Sequence, residues 1–132
     1  MIDKLMKIIT IMLLITIPVS SCSKEIENVN YKTINAEEAK AIIDAEENIV
    51  ILDVRTKAEF DDGHIPNAIL IPDAKLKEEV EIKIPDKDTK ILIYCRSGNR
   101  SAKSAKHLIE MGYNNVFDFG GIIDWPYDVV TD

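Results

Sequence analysis

Ile91-Leu92-Ile93-Tyr94-Cys95-Arg96-Ser97-Gly98-Asn99-Arg100-Ser101 is the stretch on which the reading of the chain turns. An apolar run stops at a cysteine, the pattern of a buried strand that ends there. A polar loop with one glycine and two arginines follows, and a helical pattern starts at Ser101. Strand, tight loop and helix start, in that order, aim successive backbone N–H groups at one point. Cys95 at the loop's start would hold its sulfur at that point.

The flanks agree with this setting. After the loop, Ala102, Ala105, Leu108 and Ile109 share one helical side, with Lys103, Lys106 and Glu110 on the other and Gly112 as C-cap. Before it, Ile49 to Leu52 is a continuous apolar run, and Asp53-Val54-Arg55 leaves its carboxyl end. Tyr31 to Ile34 reads as a first strand, and Asn35 with Glu38 has the spacing of a capping box. Ala36, Ala39, Ile42 and Ile43 then lie on one helical face. Lys57 to Asp61 fits a short helix, His64 to Asn67 a turn, and Ala68 to Ile71 a strand. Asp73 to Pro85 has no clear period. Asn115 to Phe119 reads as the last strand, Gly120-Gly121 as a turn, and Ile122 to Val130 as a closing helix anchored by Trp125.

Alternating strands and helices imply an α/β domain, with a central mainly parallel sheet and helices on both faces. Ligands of such sheets sit outside the carboxyl ends of the strands, where Cys95 and Asp53 both fall. The 132 residues suit one domain. A formal net charge of −7 without a basic stripe argues against nucleic acid. Arg96 and Arg100 are a local positive spot on an acidic body, suited to a small anion.

The first residues read as a targeting signal. Lys4 and Lys7 precede an apolar run from Ile8 to Ile17. As a helix it spans only about 15 Å, half of a ~30 Å hydrocarbon core. Val19-Ser20-Ser21-Cys22 resembles the lipobox of bacterial lipoproteins, in which the cysteine is lipidated. The expected organisation is a signal peptide over 1–21, a lipid-attached linker over 22–30 and a folded domain over 31–132. The domain would be exported and anchored by lipid at Cys22 to a bacterial membrane, on a periplasmic or extracellular face. With Cys22 in the signal and Cys95 in the loop, a disulfide is not the favoured use of the two cysteines.

A thiol attacks as its thiolate, and a helix N-terminus with two arginines favours negative sulfur. Taken alone, Cys95 would read as a small core residue. A core residue needs no arginine-flanked glycine loop.

Asp53-Val54-Arg55, Glu59-Phe60, Gly63-His64-Ile65-Pro66-Asn67-Ala68, the loop Cys95 to Ser101, and Gly120-Gly121 with Trp125 occur in that order. Together they resemble a single-domain rhodanese, of the thiosulfate sulfurtransferase type. Asn67 is a mild departure from the small residue usual there. The resemblance implies that Cys95 takes a sulfane sulfur from an anionic donor and passes it, as a persulfide, to cyanide or a thiol. It implies that the amides of Arg96, Ser97, Gly98, Asn99, Arg100 and Ser101 stabilise the persulfide. Arg96 and Arg100 would orient the donor, with Asp53 and Arg55 orienting the loop through hydrogen bonds. No cofactor or metal is expected, and the expected state is a monomer or weak homodimer.

Three other readings compete. One is a persulfide carrier serving a dedicated protein, and another a non-catalytic binding module of the same fold. The third is a cysteine-loop phosphatase or arsenate reductase. Those loops resemble Cys-x5-Arg, whereas Arg100 follows Cys95 at the shorter Cys-x4-Arg spacing.

Overall fold

The computed structural model describes residues 30–131. The expected signal peptide, lipidated Cys22 and most of the linker lie outside them. Among the described residues no helix is long and apolar enough to cross a membrane.

The order is β1 (Lys32–Thr33), α1 (Ala36–Ala45), β2 (Ile49–Asp53), α2 (Lys57–Asp62) and β3 (Ile69–Leu70), then α3 (Leu76–Lys83), β4 (Lys90–Cys95), α4 (Asn99–Glu110) and β5 (Val116–Gly121). Short 3₁₀ turns precede α3 and follow β5. The five strands form one sheet in the order β1-β5-β4-β2-β3, every pair parallel. β4, the strand that ends in Cys95, is therefore central.

Alternation along β4 builds the two layers. Ile91, Ile93 and Cys95 face a cluster with Leu76 and Val80 of α3 and Ala105 and Leu108 of α4. Leu92 and Tyr94 face the opposite cluster with Ala39 of α1, Ile65, Phe119 and Trp125. Helices thus cover both faces, as the α/β reading requires. Ile91, Leu92 and Ile93 are all fully buried, each contributing about 1.5–3 kcal/mol.

The helix ends obey local chemistry. Asn35 Oδ1 accepts the Glu38 N–H and Glu38 Oε2 accepts the Asn35 N–H, both at 2.8 Å. α4 ends in a Schellman motif: Gly112 N–H donates to Ile109 O and Tyr113 N–H to Leu108 O. Gly112 adopts φ +96° there.

Three expectations need correction. α4 begins at Asn99, not Ser101, because Gly98 turns left-handed and starts the helix early. Gly120 and Gly121 do not leave the sheet; β5 runs through Gly121, which pairs with Cys95 across a register shift. Ile122 to Val130 is not a helix. A 3₁₀ turn spans Ile122–Asp124, Pro126 follows, and Val130 instead bridges antiparallel to His64. The unperiodic Asp73 to Pro85 stretch holds α3, whose apolar pattern is blurred by Ile82, 80% exposed.

Candidate active site

The end of β4 and the start of α4 form the site. Gly98, at φ +102°, bends the loop back over the strand end. Its N–H donates to Cys95 Sγ at 3.0 Å. The Cys95 thiol lies 3.5 Å from Ser101 Oγ, whose hydroxyl reaches Gly98 O at 3.2 Å. The first N–H groups of a helix have no intrahelical acceptor, so the start of α4 turns unpaired donors and partial positive charge toward the loop. Of the six residues expected to direct amides at the sulfur, Gly98 alone makes that bond among the described residues. Arg96, Ser97 and Asn99 form an exposed roof. Beneath it Cys95 is only 1% exposed.

β5 supplies the wall. A Cβ at Gly121 would lie 2.1 Å from Arg96 O, so only glycine lets the loop backbone come this close. Asp118, buried, accepts the Gly120 N–H at 3.0 Å and shapes the bend before that contact. Ile123 N–H donates to Arg96 O at 3.3 Å. Sequence reading missed Asp118 and took the glycines for a turn; an aspartate two residues before a glycine pair was the available signal.

The two arginines part company. Arg100 donates from both terminal nitrogens to Glu59, at 2.8 and 2.9 Å. Those bonds first, with the Arg100 charge and Thr56 adding to them against some burial, lower the Glu59 carboxyl to about 2. Glu59 raises the Arg100 pKa in return. Arg96 is exposed and makes no ion pair with a described residue. Glu59 was not singled out by sequence as a site residue; the Thr56-x-x-Glu59 spacing, a capping box in the structure, was the available signal.

Asp53 and Arg55 are buried together. Arg55 Nη2 donates to Asp53 at 2.7 Å and to Gly63 O at 2.7 Å. Burial works against the Arg55 cation, but Asp53 outweighs it and the pKa rises. Burial first, and Asp53 next, push up the neighbouring Tyr94 phenol, which accepts the Ile65 N–H at 3.1 Å. The pair's bonds therefore tie β2 to the 63–65 turn; the expected hydrogen bonds to the cysteine loop are not formed among the described residues. His64 stacks on Phe60, ring centroids 3.8 Å apart, and its Nδ1 lies 2.9 Å from Phe60 O, a structural placement.

A cleft of about 390 Å³ opens beside the loop, with Arg55, Glu59, Arg96, Arg100 and Ile123 among its walls. Among the described residues no group of three or more His, Cys, Asp or Glu gathers to hold a metal ion.

A family model described as the rhodanese-like domain matches residues 35–126, from the cap of α1 to just past Trp125. The chain belongs to the rhodanese-like family. This rhodanese-like domain is 38% identical over 96 residues to the thiosulfate sulfurtransferase GlpE of Coxiella burnetii (strain RSA 331), covering 72% of this chain and 87% of that protein. It is also 38% identical over 96 residues to the adenylyltransferase and sulfurtransferase UBA4 of Candida albicans. That match covers 67% of this chain, which spans only 22% of the longer protein. Among solved structures, a rhodanese-related protein from Thermoplasma volcanium aligns with a TM-score of 0.67 at 37% identity, covering 77% of this chain and all of that one.

Within this family setting the geometry has a plain chemical meaning. The rhodanese-like loop offers one nucleophilic sulfur, one amide already bonded to it and a helix start beside it. Beside it lies the cleft, where Arg96 makes no ion pair with a described residue.

Proposed function

We propose that this rhodanese-like domain is a sulfurtransferase that works through a Cys95 persulfide. The observation that carries the reading is the 3.0 Å bond from Gly98 N–H to Cys95 Sγ at the start of α4. The Cys95 thiolate attacks the outer sulfur of thiosulfate. A new S–S bond forms, the donor's S–S bond breaks, and its electron pair leaves on sulfite. The charges are three negative before and three after. Cyanide or a thiolate then takes the outer sulfur and returns Cys95 as thiolate. An S–S bond of ~2.05 Å carries the reactive sulfur outward from a buried anchor, toward the cleft. Relatives named as sulfurtransferases support the same chemistry.

The proposal extends to place and partners. Export with lipid on Cys22 would leave Cys95 as the one free thiol of the processed chain, so the acceptor comes from outside. The persulfide then persists until a thiol or cyanide arrives.

Intact mass after thiosulfate treatment tests this. The wild type is expected to gain one sulfur atom, lost on adding cyanide, while Cys95→Ser gains none. Uptake by both proteins, or by neither, overturns the reading; hydrolysis of phosphate esters without sulfur uptake favours a phosphatase. Steady turnover, as opposed to single loading, separates an enzyme from a carrier.

A further inference from the structure

The cleft beside the loop carries a charge pattern that persulfide formation alone does not require. Five charged residues line it: Arg55, Glu59, Asp62, Arg96 and Arg100. Arg55 is held by Asp53 beneath it. Arg100 is held by both oxygens of Glu59. Arg96 and Asp62 are exposed, oppositely charged and without an ion pair to a described residue. Three cations thus meet three anions, and the mouth is close to neutral.

Neutrality matters because the energy of a fixed charge with a ligand scales with the ligand's charge. Attack on thiosulfate gathers three negative charges at the mouth. Attack on an organic thiosulfonate, RSO₂S⁻, gathers two: the thiolate bonds to the outer sulfur, the donor's S–S bond breaks, and sulfinate leaves with the electron pair. Two free arginines would suit the first; this mouth suits the second.

We propose that Glu59 sets donor selectivity by neutralising Arg100, turning the site from dianionic thiosulfate toward singly charged sulfane donors such as thiosulfonates. The proposal rests on the sulfurtransferase reading. Glu59 acts through Arg100 and is a positioning residue.

The test is kcat/KM for thiosulfate and for methanethiosulfonate, with cyanide as acceptor, in the full chain. Glu59→Gln keeps the capping-box side chain and removes its charge. It is expected to raise kcat/KM by about tenfold for thiosulfate and about threefold for methanethiosulfonate, the logarithm of the gain following donor charge. The thiosulfate rate should also become more sensitive to salt. Arg100→Gln uncovers the Glu59 charge and should lower both, thiosulfate more; the Glu59→Gln/Arg100→Gln double variant should return the donor ratio toward wild type. Equal losses for both donors in Glu59→Gln would mark a structural role and overturn the proposal, as would an unchanged ratio. Intact mass separates the two levels: sulfur loading with an unmoved ratio defeats the Glu59 proposal alone. Absence of loading from either donor defeats the sulfurtransferase reading with it.

Discussion

Glu59 joins two helices by a bond to a residue 41 positions away: it caps α2 with Thr56 and holds Arg100 in the first turn of α4. Arg100 is the main reason its carboxyl titrates near 2 instead of 4.5. A carboxyl depressed by folding stabilises the fold fully above its unfolded pKa and loses that contribution as pH falls through the folded one. The melting temperature of wild type should therefore exceed that of Glu59→Gln by a constant margin above about pH 5.5. The margin should narrow below 4.5 and vanish near 2. Melting curves from pH 2 to 7 check this, and a margin independent of pH would reduce Glu59 to a packing contact. Because both partners are about 30% exposed, the margin will be small and will shrink in high salt.

Among the elements, the contact of β5 with the cysteine loop is the most exposed to a single change. Gly121→Ala puts a methyl 2.1 Å from Arg96 O, so backbone must move. Overpacking of this kind costs about 1–3 kcal/mol, and the moved atoms are those over the sulfur. Gly98→Ala meets nothing closer than 3.7 Å, but its φ of +102° is one that L residues resist, at about 1–2 kcal/mol. At matched losses of stability, Gly121→Ala should slow sulfur loading on Cys95 at least as much as Gly98→Ala; mass-detected loading against urea melts decides it. These two glycines also show where sequence was legible. The strand, loop and helix around Cys95 follow from local pattern, and so do the Asn35 cap and the apolar run Ile49 to Leu52 of β2. The role of Gly121 did not follow, because glycine after a strand signals a turn and its reason here lies 25 residues upstream, at Arg96. The closing segment failed similarly. Its Trp125 is buried as expected, but the partner of Val130 is His64, far away in sequence. The Glu59–Arg100 bond likewise joins residues 41 apart, and residue spacing carries no trace of it.

On the scale of the molecule, an acidic chain of net charge −7 bears its candidate site at one end of a parallel sheet. If the Cys22 reading is right, the full chain partitions into detergent and sediments with membranes, whereas Cys22→Ala does neither; recovery of both proteins in the soluble fraction would remove the anchor. The sheet order has a second consequence. β4 lies between β5 and β2, while the two-residue β1 and β3 form the margins. In deuterated solvent the margins will exchange early, by fraying, and the amides of β4 only when the whole sheet comes apart. Cys95 is carried by the last strand to open, so its place beneath the loop lasts as long as the fold itself.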